Sequence, residues 1–117
     1  MTPDELAAAA LTWLGNKSAG PDRDVAPDVA AAVVEFVQSL PSALVTPQTG
    51  ADGSTTWDWS DRARLGATML TARLIRRRNS TAGVEAFSEA GAVYVTRNDP
   101  DIAQMLRLGP YAPPRIG

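Results

Sequence analysis

Apolar positions in this chain recur mainly at the three- and four-residue spacing of amphipathic helices. Thr2-Pro3-Asp4-Glu5 has the form of a capping box with proline at the first helical position, and Leu6, Ala10, Trp13 and Leu14 give an apolar face that stops at Gly15. A second helix is predicted to start at Asp24 or Ala26, followed by Pro27 and Asp28, and to end at Leu40 before Pro41. Its stripe of Val29, Val33, Phe36, Val37 and Leu40 is widened by Ala30 and Val34, and Glu35 is the one charge in its interior, which suits the central helix of a small bundle.

The periodicity then breaks. Residues 41–59 hold two prolines and two glycines and are long for a structureless connection, so they form a candidate functional loop. Asp52-Gly53 favours a tight turn, which predicts a short hairpin around Ala51 to Ser54 with Thr55, Thr56 and Trp57 in a strand. Ser60 or Asp58 caps a third helix ending near Arg78-Asn79. That helix is apolar on two sides. Leu65, Met69 and Ala72 cluster on one and Ala63, Ala67, Leu70 and Leu74 nearly opposite, so one side suits the core and the other a neighbouring subunit.

Gly83 to Thr96 reads as extended, with Val84, Ala86 and Phe87, a turn at Glu89 to Gly91, and a strand Ala92 to Thr96. Asn98-Asp99-Pro100-Asp101 opens a short last helix, Ile102 to Leu108, which Gly109-Pro110 ends. The tail to Gly117 is expected to be extended, near polyproline II. The expected fold is mainly α: a bundle of about four helices over residues 1–108, with a β-hairpin, followed by an extended tail over 109–117.

Composition narrows the chemistry. Alanine supplies 20 of the 52 hydrophobic residues, so the core is thin and its helices must approach closely. The chain has neither cysteine nor histidine, which excludes disulfides, thiolate or imidazole metal sites and Ser-His triads built from this chain alone. A net charge of −2 gives no global argument for nucleic acid. No apolar run approaches the ~20 residues that span a bilayer, so no membrane partner is expected.

Arg76-Arg77-Arg78, with Arg73 and Arg97, is the one basic cluster. Helix-end capping with ion pairing between subunits is the plain reading, and contact with DNA in a channel the sharper one. Consecutive arginines splay at 100° per residue and cannot all point into one groove. Asp58, Asp61, Asp99 and Asp101 fit helix capping better than magnesium binding, so neither metal nor cofactor is expected. Glu85 and Glu89 have no nucleophile or base nearby in sequence, and no catalytic residue is assigned. Trp57 and Trp59 point the same way if extended, either closing the core or anchoring an interface.

Three phrases, Leu65 to Asn79, Gly83-Val-Glu-Ala-Phe87 with Gly91-Ala-Val-Tyr-Val95, and Asn98-Asp-Pro-Asp-Ile102 to Gly109, come in an order that resembles the head-to-tail adaptor (connector) proteins of long-tailed bacteriophages of actinobacteria. The resemblance covers Trp59 to Gly117. It implies a non-enzymatic structural protein of the virion neck, made in the host bacterial cytoplasm. Such a protein forms a dodecameric ring beneath the portal protein, joins head to tail, and lets genomic DNA pass without reading its sequence. Ala63, Ala67, Leu70 and Leu74, with Arg73, Arg76, Arg77 and Arg78, are then the expected subunit interface. Pro110, Tyr111, Pro113, Pro114, Arg115 and Ile116 in the tail are expected to reach the portal. Residues 46–57 or 83–96, with Trp57, Glu85, Phe87 and Glu89, are expected to meet the head-tail stopper or next neck protein. The alternative is a small helical DNA-binding regulator that uses the third helix for recognition.

Overall fold

A computed structural model of the chain describes residues 1–15, 21–40, 44–77 and 81–108. The order of elements is α1 (Pro3–Trp13), α2 (Pro21–Gln38), β1 (Val45–Thr49), β2 (Thr55–Trp59), α3 (Asp61–Arg76), α4 (Thr81–Asn98) and α5 (Pro100–Met105). The mainly α fold with one antiparallel hairpin is as the periodicity predicts. The portal-directed tail residues Pro110 to Ile116, and Arg78 of the arginine cluster, lie outside the described residues.

Helix α1 begins as its sequence requires. The Thr2 side chain accepts from Glu5 N–H while the Glu5 carboxylate accepts from Thr2 N–H, and Gly15 follows at φ 74°, where a side chain would be strained. Helix α2 departs from expectation by starting at Pro21, so that Pro27 lies inside it. The Arg23 carbonyl loses its i+4 donor there, and the exposure of Arg23 lets water take the donor's place. Beyond Pro27, Val29, Ala30, Val33, Val34 and Val37 are buried as one stripe and Phe36 and Leu40 half-buried, which makes α2 the wall shared by α1, α3 and α4.

The stretch 83–96 is not a hairpin but part of α4. Its core contacts follow helical spacing: Phe87 and Val95 are buried, while Gly91 and Tyr94 are half-buried between them in sequence. A Cβ on Gly91 would lie 2.7 Å from Phe36 Cδ1, so glycine is what allows α4 to approach α2 this closely. Phe87 stacks edge-on against Phe36 and Tyr94, with centroids 5.1 and 6.2 Å away.

The hairpin lies where the Asp52-Gly53 turn places it, with Val45 opposite Trp59 and Thr49 opposite Thr55. Gly53 takes φ 84° in the turn, and Asp52 accepts from the Ser54 N–H and hydroxyl. Val45 and Trp59 turn inward with Trp57 half-buried on the same face, while Thr46, Gln48, Thr56 and Asp58 stay in water. The Trp59 indole N–H is buried without an acceptor among the described residues.

Candidate functional site

Of the two apolar sides of α3, the structure buries one completely. Ala63, Ala67, Leu70 and Leu74 are all 0% exposed within the single chain, so they belong to its own core and are not available to a neighbouring subunit. The other side is left partly toward water: Leu65 is 41% exposed and Met69 half-buried, while Ala72, 2% exposed, is buried. The assignment of the two sides is therefore reversed. Periodicity shows that two sides exist but not which of them the chain's own helices α1 and α2 will cover.

The arginines of α3 clamp α5. Arg77 Nη1 and Nη2 each donate to a different oxygen of Asp99 at 2.8 Å, and Arg73 Nη1 donates to Asp99 Oδ1 at 3.0 Å. Arg73 also makes a two-pronged pair with Asp101, at 2.7 and 2.6 Å. Tyr94 completes the cluster: its hydroxyl accepts from Arg77 at 3.2 Å, and the guanidinium carbon stands 5.9 Å from the ring centroid. At the opposite end of α5, Arg62 donates to the carbonyls of Met105 (2.7 Å) and Gln104 (2.8 Å), in the last turn, where carbonyls run short of helical donors. Beside it the C-cap residue Leu106 rests on Gly66, where a Cβ would come within 2.8 Å of Leu106 Cδ2. Helix α5 thus lies antiparallel on α3, held at both ends by arginine and at its C-terminal end also by close packing.

This corrects two expectations. Arg73 and Arg77, expected to pair between subunits, form ion pairs within the chain, and of the interface arginines expected from the sequence only Arg76 is an exposed, described residue. Asp99 does occupy the N-cap position of α5, yet its side chain makes no capping hydrogen bond, because both oxygens are engaged by arginine. Burial pushes its carboxyl up. The hydrogen bonds and charges of Arg77 and Arg73 outweigh that and hold it below the ordinary aspartate value. Asp101 is lowered chiefly by its bonds to Arg73, and both guanidinium groups are correspondingly raised.

The remaining residues singled out in the sequence are dispersed. Ser60, not Asp58, caps α3 by accepting from Ala63 N–H at 3.1 Å; Asp61 is the first helical residue, and Asp58 lies on the exposed face of β2. Among the described residues no three acidic side chains converge as metal ligands would. Phe87, expected to meet a neck partner, is 3% exposed and internal. Glu85 and Glu89 are on α4, their side chains outside the described residues. Trp57 remains at the surface, half-buried on the hairpin.

Among the described residues three large apolar side chains stand in water: Trp13 at 55%, Leu65 at 41% and Val93 at 62%. They come from α1, α3 and α4. Trp13 borders a shallow groove of about 230 Å³ with Leu14, Ala72, Arg73, Arg76 and Arg77, and Val93 lines another of about 410 Å³ with Ala92, Thr96 and Arg97. No described helix is long and apolar enough to cross a membrane. Compared with protein-family models, curated proteins and solved structures, the chain gives no match.

Proposed function

We propose that the chain is a structural subunit of a tailed-phage neck, a head-to-tail adaptor that works by assembly and not by chemistry. One structural observation supports this most directly: Trp13, Leu65 and Val93 leave large apolar surface in water on three separate helices. Single exposed apolar residues are ordinary, but a tryptophan, a leucine and a valine on different elements suit a subunit flanked by neighbours on more than one side. The order of phrases over Trp59 to Gly117 supplies the identity of the assembly. In this reading Leu65 and Met69 replace the Ala63-to-Leu74 stripe as the subunit contact of α3, Arg76 flanks it, the hairpin with Trp57 faces the next neck protein, and the tail reaches the portal.

A DNA-binding regulator would need α3 in the major groove. Helix α3 buries Ala63, Gly66, Ala67, Leu70, Thr71, Ala72, Leu74 and Ile75, and two of its arginines are bound to Asp99 and Asp101, so too little of it is free to read bases.

Disrupting the gene in the phage that carries it tests the proposal. DNA-filled heads without tails are expected, restored by supplying the chain in trans; infectious, normally tailed particles in its absence would refute it.

A further inference from the structure

The two outer edges of the hairpin are not equivalent. Gly50 N–H donates to the Ser54 carbonyl at 2.7 Å and Ser60 N–H to the Leu44 carbonyl at 2.9 Å. Antiparallel ladders alternate, so with this register the pairs 46/58 and 48/56 also bond inward, while residues 45, 47 and 49 of β1 and 55, 57 and 59 of β2 direct their backbone groups outward. The middle outward position of β1 is Pro47, which has no N–H to offer. Its edge is therefore blocked to strand addition without any loss to the hairpin itself. On β2, Arg64 Nε approaches the Trp59 carbonyl at 3.5 Å and occupies that end. Thr55 and Trp57 keep two donors and two acceptors with no partner among the described residues.

Beside this open stretch runs a groove of about 470 Å³ with Met1, Pro3, Val34 and Trp57 as its apolar wall and Thr2, Gln38, Thr55 and Thr56 as its polar margin. Around it carboxylates outnumber cations, of which the Met1 amino group and Arg64, at the Trp59 end of the edge, are the near ones among the described residues. Residues 44–61 contain Asp52, Asp58 and Asp61 and no lysine or arginine, and Asp4 and Glu5 stand exposed in the first turn of α1.

We propose that the β2 edge at Thr55–Trp57 accepts an added antiparallel strand from a partner protein, and that this strand carries a basic residue followed by two apolar residues one position apart. Residues facing each other across an antiparallel pair share a side of the sheet. The positions opposite Thr55 and Trp57 therefore face the apolar groove, and the position opposite Asp58 faces its exposed carboxylate. Read from the N-terminus of the partner, the order is basic, apolar, any residue, apolar. This goes beyond the neck assignment and does not depend on it.

The probe is the peptide acetyl-Thr-Arg-Val-Thr-Ile-Thr-amide, titrated into the full ¹⁵N-labelled chain. The Thr55 and Trp57 amides are expected to shift and gain protection from hydrogen exchange. Replacing the peptide's Arg by Glu is expected to weaken binding by roughly two- to five-fold. Thr55→Pro, which does on β2 what Pro47 does on β1, is expected to weaken it by about ten-fold while preserving the cross-strand contacts of the hairpin. As a control that leaves the protein unaltered, N-methylation of the peptide valine opposite Trp57 removes a bond to the same edge, and a similar loss is expected. Shifts confined to other residues, equal binding of the Glu peptide, or undiminished binding after N-methylation would overturn the proposal. Protection of the same amides by self-association without peptide would make a second copy the occupant and overturn the partner assignment.

Discussion

Arg77 grips Asp99 through both terminal nitrogens, at 2.8 Å each, and the Asp99 side chain is only 1% exposed, although 22 residues and the whole of α4 separate the two in sequence. The pair fixes the junction between α4 and α5 onto the end of α3. Removing one partner of a buried ion pair leaves the other without compensation, at a cost of about 3–5 kcal/mol when both are fully buried. Arg77 is about a third exposed. We therefore expect Asp99→Ala and Arg77→Ala each to lower stability by about 2–3 kcal/mol in urea unfolding. Asp101→Ala, at a carboxylate half in water, should cost no more than about 1 kcal/mol.

The same cluster sets a dependence on acid. The carboxyls of Asp99 and Asp101 are lowered in the folded chain, so the unfolded chain binds their protons first as pH falls. Their contribution is fully present above the unfolded aspartate value of about 3.9 and is lost as pH falls below it through the folded value. Urea midpoints should be flat in this respect above about pH 5 and fall below about pH 4, and Asp99→Asn should flatten the acid limb.

Helix α5 ends with Leu106 as C-cap and Arg107 at φ 55°, with Leu108 N–H donating to the Ala103 carbonyl at 2.8 Å and Arg107 N–H to that of Gln104 at 3.3 Å. This is a Schellman arrangement with arginine where glycine is usual. The left-handed conformation costs a residue with a Cβ roughly 1 kcal/mol, partly offset by the greater freedom of glycine in the unfolded chain. Arg107→Gly should stabilise the chain by about 0.5 kcal/mol, read from the urea midpoint at unchanged m-value.

Gly66 and Gly91 should respond differently to alanine. The atom that a Gly66 Cβ would meet belongs to Leu106, which is 0% exposed and has nowhere to go, so Gly66→Ala should destabilise by about 1–3 kcal/mol despite its better helix propensity. Gly91 faces Phe36, half-buried at the edge of a groove of about 260 Å³ into which its ring can swing. Gly91→Ala should cost less than Gly66→Ala, and thermal unfolding of the pair checks the order.

Much of the fold was legible because short-range rules fixed it: the Thr2–Glu5 box, the Asp52-Gly53 turn, Ser60 before α3, and the valine stripe of α2. Helix α4 was not. Ala92 to Thr96 combines β-branched and aromatic residues directly after Gly91, which local propensity assigns to a strand, yet Phe87, Gly91, Tyr94 and Val95 lie at the i, i+4, i+7 and i+8 spacing of a helix face. Tertiary contact with Phe36 decided between them. The clamp around Asp99 escaped for a related reason. An aspartate before proline carries a strong local capping signal, whereas its arginine partners are set by how α5 folds back on α3. The blocked edge at Pro47 needed the register of the hairpin, which sequence alone leaves open.

The proposed place in a phage neck is best checked by cryo-electron microscopy of intact tailed particles of the proposed parent phage. The account predicts copies of the α1–α5 fold arranged in a closed ring beneath the portal, with Leu65 and Val93 covered by neighbouring chains. A neck containing no copy of the chain, or copies whose Leu65 and Val93 face solvent without touching one another, would contradict it.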